Sequence, residues 1–164
     1  EVPVVEFQAS GVATTDAYLK LLKQVPQLEA YSICARVKLK YDSAAGSYIF
    51  SYRTAQEDLH IGLYTGEIRI YHNIATHTVK APVQLDEWFH FCCSINESSS
   101  QYTINFDNQI ITGKLKNNKK LHFEAGGAFI LGQFQQTIGG TFRFGASFTG
   151  HLAEFIMYKS TLSN

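Results

Sequence analysis

Trp88-Phe89-His90-Phe91-Cys92-Cys93-Ser94-Ile95 is the stretch on which the fold turns. Phe89, Phe91, Cys93 and Ile95 share one side of a period-two repeat, and Trp88, His90, Cys92 and Ser94 share the other. Successive strand side chains point to opposite faces, so this is a strand with one core-facing side. Tyr31 to Leu39 repeats the pattern: Tyr31, Ile33, Ala35, Val37 and Leu39 against Cys34, Arg36 and Lys38. Outward from these two, Gly46 to Arg53 is strand-like. Leu59 to Tyr64 and Ile68 to His72 flank Thr65-Gly66-Glu67 as a hairpin. Tyr102, Ile104 and Phe106 alternate with Thr103 and Asn105 before a turn at Asp107-Asn108. Phe129-Ile130-Leu131 and Leu152 to Tyr158 complete the set, and Ala17 to Lys23, cut off by Pro26, is read as a further strand. Many short strands separated by glycine turns imply an all-β chain of two packed antiparallel sheets. With no internal linker or repeat, residues 1–164 are expected to form a single domain.

The same parity sorts the three cysteines. Cys34 and Cys92 both lie on the polar face of their strands, whereas Cys93 lies on the apolar face. Cysteines on one face of a sheet can meet and one on the opposite face cannot, so Cys34–Cys92 is the expected disulfide and Cys93 a buried free thiol. Three reduced cysteines packed as small hydrophobes are the competing reading. Zinc is disfavoured, because no second Cys or His pair has ligand spacing.

Composition bounds the partners. Lys plus Arg and Asp plus Glu are each 14, so no basic excess invites nucleic acid or an anionic membrane. Apolar residues are 45% and charged residues 17%, a globular balance, and 12 Phe with 9 Tyr favour strands. No run approaches the roughly 18 apolar residues of a membrane span. The chain opens at Glu1 directly into Val2, Val4 and Phe7, which reads as a mature N-terminus or an excised domain. Asn96-Glu97-Ser98 is a glycosylation sequon placed just after a strand, and it favours an extracellular setting.

His90-Phe91-Cys92-Cys93-Ser94 resembles the H-x-C-x-S/T-W signature of pentraxins, with Ile95 in place of the Trp. Tyr31 to Arg36 is similar to the strand that donates the partner cysteine. Ser51-Tyr52-Arg53-Thr54 with Asp58 resembles the family's S-Y-x-T…D segment, and Leu131-Gly132-Gln133-Phe134-Gln135-Gln136 with Gly139-Gly140 its L-G-Q-E-Q-D…G-G loop. Phe148-Thr149-Gly150-His151-Leu152 with Phe155, Tyr158, Leu162 and Ser163 is like the closing motif. These pieces stand in family order over nearly the whole chain. The resemblance implies a jelly-roll sandwich of the pentraxin and concanavalin A-like kind, one disulfide and an oligomer. It also implies where calcium would bind, and there the sequence departs. Asp58 and Gln135 match, but Leu59, Phe134, Gln136 and Arg143 stand where the family has Asn, Glu, Asp and Glu. Calcium takes six to eight oxygen ligands with negative charge among them. No calcium site and no other cofactor is therefore expected. Pentraxin domains that lack the calcium loop resemble the N-terminal modules of adhesion G-protein-coupled receptors, most of all the G subfamily.

No catalytic constellation competes. A jelly-roll glycosidase needs two carboxylates across a cleft, but Asp86-Glu87 are adjacent and so point to opposite faces. No nucleophile elbow or phosphate loop occurs. Of the six histidines, His72 and His77 stand near a turn and read as surface residues. Lys114, Lys116, Lys119 and Lys120 with Asn117-Asn118 read as a solvated hairpin that could meet a glycosaminoglycan. The expectation is a non-catalytic extracellular adhesion module, joined to a plasma membrane only through the rest of a receptor chain. It would bind a protein or glycan partner and self-associate as a homodimer, with Ala128 to Phe134 or Ile68 to Asn73 at the interface. A soluble calcium-dependent pattern-recognition protein is the alternative.

Overall fold

The computed structural model describes residues 2–73, 75–116 and 123–162. Asn117, Asn118, Lys119, Lys120 and Ser163 from the motifs above lie outside the described residues. Fourteen strands follow in chain order among those described: β1 Val4–Phe7, β2 Leu19–Lys20, β3 Ala30–Leu39, β4 Ser47–Arg53, β5 Asp58–Tyr64, β6 Glu67–His72 and β7 Ala75–Lys80. Then come β8 Trp88–Asn96, β9 Gln101–Phe106, β10 Gln109–Lys114, β11 Ala128–Leu131, β12 Gln135–Thr137, β13 Gly140–Phe142 and β14 Gly150–Tyr158. The described residues include no helix.

The strands form two six-stranded antiparallel sheets, ordered β1-β14-β3-β8-β9-β10 and β2-β11-β4-β5-β6-β7, with β12-β13 as a separate hairpin. This is the jelly-roll sandwich that the alternation implies. Ile33, Ala35, Val37 and Leu39 of β3 and Phe91, Cys93 and Ile95 of β8 are all at most 1% exposed. They face Phe50 and Tyr52 of β4, Ile61 and Leu63 of β5, and Ile68 and Ile70 of β6 across one core. A core of this breadth supplies most of the stability of a sandwich, at about 25 cal/mol per Å2 of apolar surface buried.

Four details differ from the sequence reading. Ala17 to Lys23 contributes only the two-residue strand β2, which pairs with Ile130 and Leu131 at the end of the short strand β11. His72 and His77 are interior, each 3% exposed, not surface residues. Their parity explains this: His72 pairs with core Leu59, and His77 pairs with core Ile70. Neither expected interface segment is a sheet edge. Ala128 to Leu131 lies between β2 and β4, and Ile68 to His72 lies between β5 and β7, so their backbone groups are already paired. Finally, β7, β10, β12 and β13 carry too few large apolar residues to announce themselves in the sequence.

Candidate functional site

The β4–β5 hairpin brings Arg53 opposite Asp58 and Ser51 opposite His60. These residues stand on the face of the second sheet that points away from the core, together with Tyr48 and Tyr71. The loop from Gly132 to Ala146 folds over that face, anchored where Phe148 N donates to Gly132 O at 2.9 Å and Arg143 N to Phe134 O at 2.9 Å. Gly132 sits at φ 91°, and a Cβ there would collide with the Phe7 ring, so only glycine lets the loop turn over β11.

Under this loop, the positions that the family resemblance assigns to calcium are filled by the chain itself. Phe134 stacks on His60 with ring centroids 3.9 Å apart and planes 16° apart. Tyr48 meets Phe134 edge-on at 4.8 Å, and Tyr71 does so at 5.8 Å. His60 is wholly buried. Burial holds its pKa below the ordinary range, while Asp58, 3.6 Å from Nε2, acts in the opposite direction. Burial also raises the Tyr48 hydroxyl. Asp58 is committed to Arg53, whose Nη1 donates to Asp58 Oδ2 at 3.2 Å and to the Gln135 carbonyl at 3.3 Å. The Gln135 side chain is committed too. Its Nε2 faces Ser51 O at 2.9 Å, Ser51 Oγ at 3.0 Å and Ala128 O at 3.0 Å, and its Oε1 accepts from Gly139 N at 2.7 Å. Leu59 points into the core, Gln136 is exposed, and the Arg143 guanidinium lies 5.9 Å from the Phe134 ring.

A calcium ion needs several oxygens left open by the protein. Here one carboxylate is ion-paired, one amide is fully hydrogen-bonded, Leu59 faces the core, Phe134 and Arg143 offer a ring and a cation, and Gln136 alone is an exposed amide. The donor set does not fit the ion. The one serine of the cluster, Ser51, is buried with its Oγ bonded to Gln135 N and Nε2, and among the described residues no three His, Cys, Asp or Glu converge as metal ligands. What the arrangement does is brace a loop and present its outer surface. His60 and Tyr48 were not among the candidates read from the sequence, and Tyr71 entered only as part of the Ile68 to Asn73 interface segment. The signal available was parity, since His60 shares its face with Asp58.

On the opposite side of the sandwich, Cys34 and Cys92 face each other across β3 and β8 and form a disulfide with S–S 2.10 Å. Cys93 is buried as a free thiol, its pKa pushed up to about 12 by burial. Although the disulfide lies on the outer face, both cysteines are nearly inaccessible. Next to it the segment after β14 crosses the sheet, where Ser32 Oγ donates to Ser160 O and accepts from Leu162 N. Asn96 closes β8, and its Oδ1 accepts from Ser98 Oγ at 2.7 Å and Ser99 N at 3.2 Å in the turn that carries the sequon. Lys114 ends β10 and Lys116 follows it.

The chain is 27% identical over 154 residues to the neuronal pentraxin receptor of Mus musculus; the match covers 89% of this chain and 30% of that protein's length. Among solved structures, the native heptameric SAP-like pentraxin of Limulus polyphemus superposes with a TM-score of 0.78 at 20% identity, covering 98% of this chain and 77% of that one. The full extracellular region of zebrafish Gpr126/Adgrg6 superposes with a TM-score of 0.70 at 10% identity, covering 98% of this chain and 21% of that one. At such identities the structural likeness speaks for the fold. The Pentaxin family model matches residues 6–164. On that match, the two-sheet sandwich and the motifs in their order, the chain belongs to the pentraxin family.

Proposed function

We propose that this chain is a calcium-independent, non-catalytic recognition module of an extracellular receptor region, of the adhesion G-protein-coupled receptor kind, acting through protein or glycan contacts and self-association. The Phe134–His60 stack is the observation that carries the reading. A pentraxin domain in which Phe134 takes a calcium position and stacks on His60 has exchanged ion-bridged ligand capture for a loop braced by its own rings. The fold likeness to the Gpr126/Adgrg6 extracellular region supports a receptor setting. The sequon turn at Asn96 and the Cys34–Cys92 disulfide are features suited to an oxidising compartment.

Thermal melting in chelator and in millimolar calcium tests it. The expected result is the same midpoint in both. A site half-saturated near ~10 µM would stabilise by about 2.7 kcal/mol at a hundredfold excess, a shift of several degrees. Such a shift would favour the soluble calcium-dependent type and overturn the proposal.

A further inference from the structure

Trp88 is the chain's single tryptophan, and the fold holds its ring on the outside. The entry to β8 is pinned first. Asp86 turns at φ 60° and its N donates to Leu39 O at 2.8 Å, so β8 starts beside the end of β3. That pairing sets Trp88 opposite Lys38 and His90 opposite Arg36, and Lys38 in turn faces His151 of β14. Parity does the rest. Phe89 is 5% exposed and enters the core, so Trp88 stands on the outer face and stays 41% exposed. The Arg36 guanidinium lies 5.9 Å from the centre of the indole, and the His151 ring lies 6.0 Å from it, tilted by 45°. These two neighbours fix the ring and leave part of it open to solvent.

Carboxylates around this ring are already engaged. Glu6 accepts from Lys40 at 3.0 Å, Glu154 lies 3.9 Å from Arg36, and Asp107 accepts from His90 N at 2.9 Å. Lys38, half-buried and directly opposite Trp88, has no carboxylate within ion-pair distance among the described residues. One ring among so many charges is too small and too polar for the centre of a protein interface, where charged residues are depleted. A sugar acid matches both halves of the pair. The electron-rich face of an indole attracts the C–H face of a pyranose ring. An unpaired ammonium takes a carboxylate through a charge-assisted hydrogen bond. We infer that Trp88 and Lys38 bind a carboxylated pyranose of an extracellular glycan, with the sugar ring on the indole and its carboxylate on Lys38. This rests on the recognition-module reading and names a ligand class for it, on the sheet opposite the degenerate calcium positions. A calcium-dependent melt would overturn that reading and leave this site standing. A failure to bind sugar acids would overturn this site and leave that reading standing.

Because Trp88 is the one tryptophan, its fluorescence reports the site directly. The whole chain, in chelator and about 0.15 M salt, is titrated with three probes. A hyaluronan tetrasaccharide carries glucuronate, the methyl glycoside of N-acetylneuraminic acid carries a sialate, and chitotetraose is neutral. At least one of the two acids is expected to change the emission and saturate below roughly millimolar concentration, and which one does so identifies the source. Chitotetraose should bind about tenfold more weakly, having lost the charge-assisted contact. Lys38→Gln should cost the bound acid about tenfold. Lys80→Gln, which removes an equal charge from the other sheet, should leave it unchanged. Trp88→Ala, followed by calorimetry and checked for folding by melting, should abolish binding. The inference is overturned if neither acid binds saturably, if chitotetraose binds equally well, or if Lys38→Gln has no effect. It is overturned equally if Lys80→Gln costs as much as Lys38→Gln, or if binding appears only when calcium replaces the chelator.

Discussion

Phe134 stands where the family resemblance puts an acidic residue, and its ring packs against His60, Tyr48 and Tyr71. Edge and stacked ring contacts are worth about 0.5–1.5 kcal/mol each beyond area burial. Phe134→Ala removes three of them, so it should destabilise by about 3 kcal/mol and lower the chemical-denaturation midpoint. Phe134→Glu restores the family residue but places a charge against buried His60, and calcium is not expected to rescue it, because Asp58 and Gln135 remain committed. Glu97 offers a second prediction. It is 4% exposed, and burial, then Glu57 and Glu29, push its pKa up to about 9, with Tyr31 acting in the opposite direction. The folded chain thus keeps a proton that the unfolded chain releases near pH 4.5, so stability falls as pH rises from 4.5 to 9. His72 acts with the opposite sign: burial pushes it down to about 4, so stability falls as pH drops from 6.5 to 4. The two oppose each other between pH 4.5 and 6.5. Between 6.5 and 9 Glu97 acts without that opposition, and stability should decline by up to about 1.4 kcal/mol per pH unit. Glu97→Gln keeps the sequon and should flatten that limb in melting scans, and an unchanged slope would remove Glu97 as its cause.

At the scale of single elements, β14 does the most. It joins β1 to β3 and closes the first sheet, and it begins at Gly150 with φ 152°. A Cβ at Gly150 would run into the Lys38 carbonyl of the neighbouring strand. Gly150→Ala must therefore push β14 off β3 at its first rung, and a loss of at least about 2 kcal/mol is expected, read from denaturant titration. Hydrogen exchange should place the loosened amides at Lys38 to Lys40 and Gly150 to Leu152. A uniform loss of protection would instead mean that the whole sandwich yields at once.

For the whole molecule, the pairing order decides where a second copy could join. Among the described residues the unpaired edges are β1 and β10 in one sheet and β2 and β7 in the other. β10 runs Gln109-Ile110-Ile111-Thr112-Gly113-Lys114, six residues with Ile110 56% exposed and a single charge at its end. A long, weakly charged edge is a template for antiparallel pairing about a two-fold axis. Light scattering at roughly hundred-micromolar chain should show a dimer, as a dimer constant near ~10 µM (about 7 kcal/mol) requires. Ile110→Glu should return it to monomer with little change in melting. A monomer in the parent protein would sink the self-association reading.

Much of this was legible in the sequence because strand parity is local. Which side of β3 and β8 enters the core, and which cysteines could meet, follow from a two-residue period that no distant contact needs to supply. The family motifs likewise located the degenerate calcium positions, with Phe134, Gln136 and Arg143 visibly wrong for the ion. Other features depended on what lies above a strand, not on its own repeat. His60 stands on an outward face and is buried only because a loop some seventy positions later folds over it. His72 and His77 followed parity, but a polar side chain in a core is settled by the neighbours that enclose it. The parity reset at Glu154, which turns Phe155 and Met157 inward, came from the bulge, where one extra residue leaves the alternation. Periodicity along the chain is determined by backbone geometry, which the sequence states residue by residue. Burial across the sheets is determined by packing, which exists only once the strands have been placed.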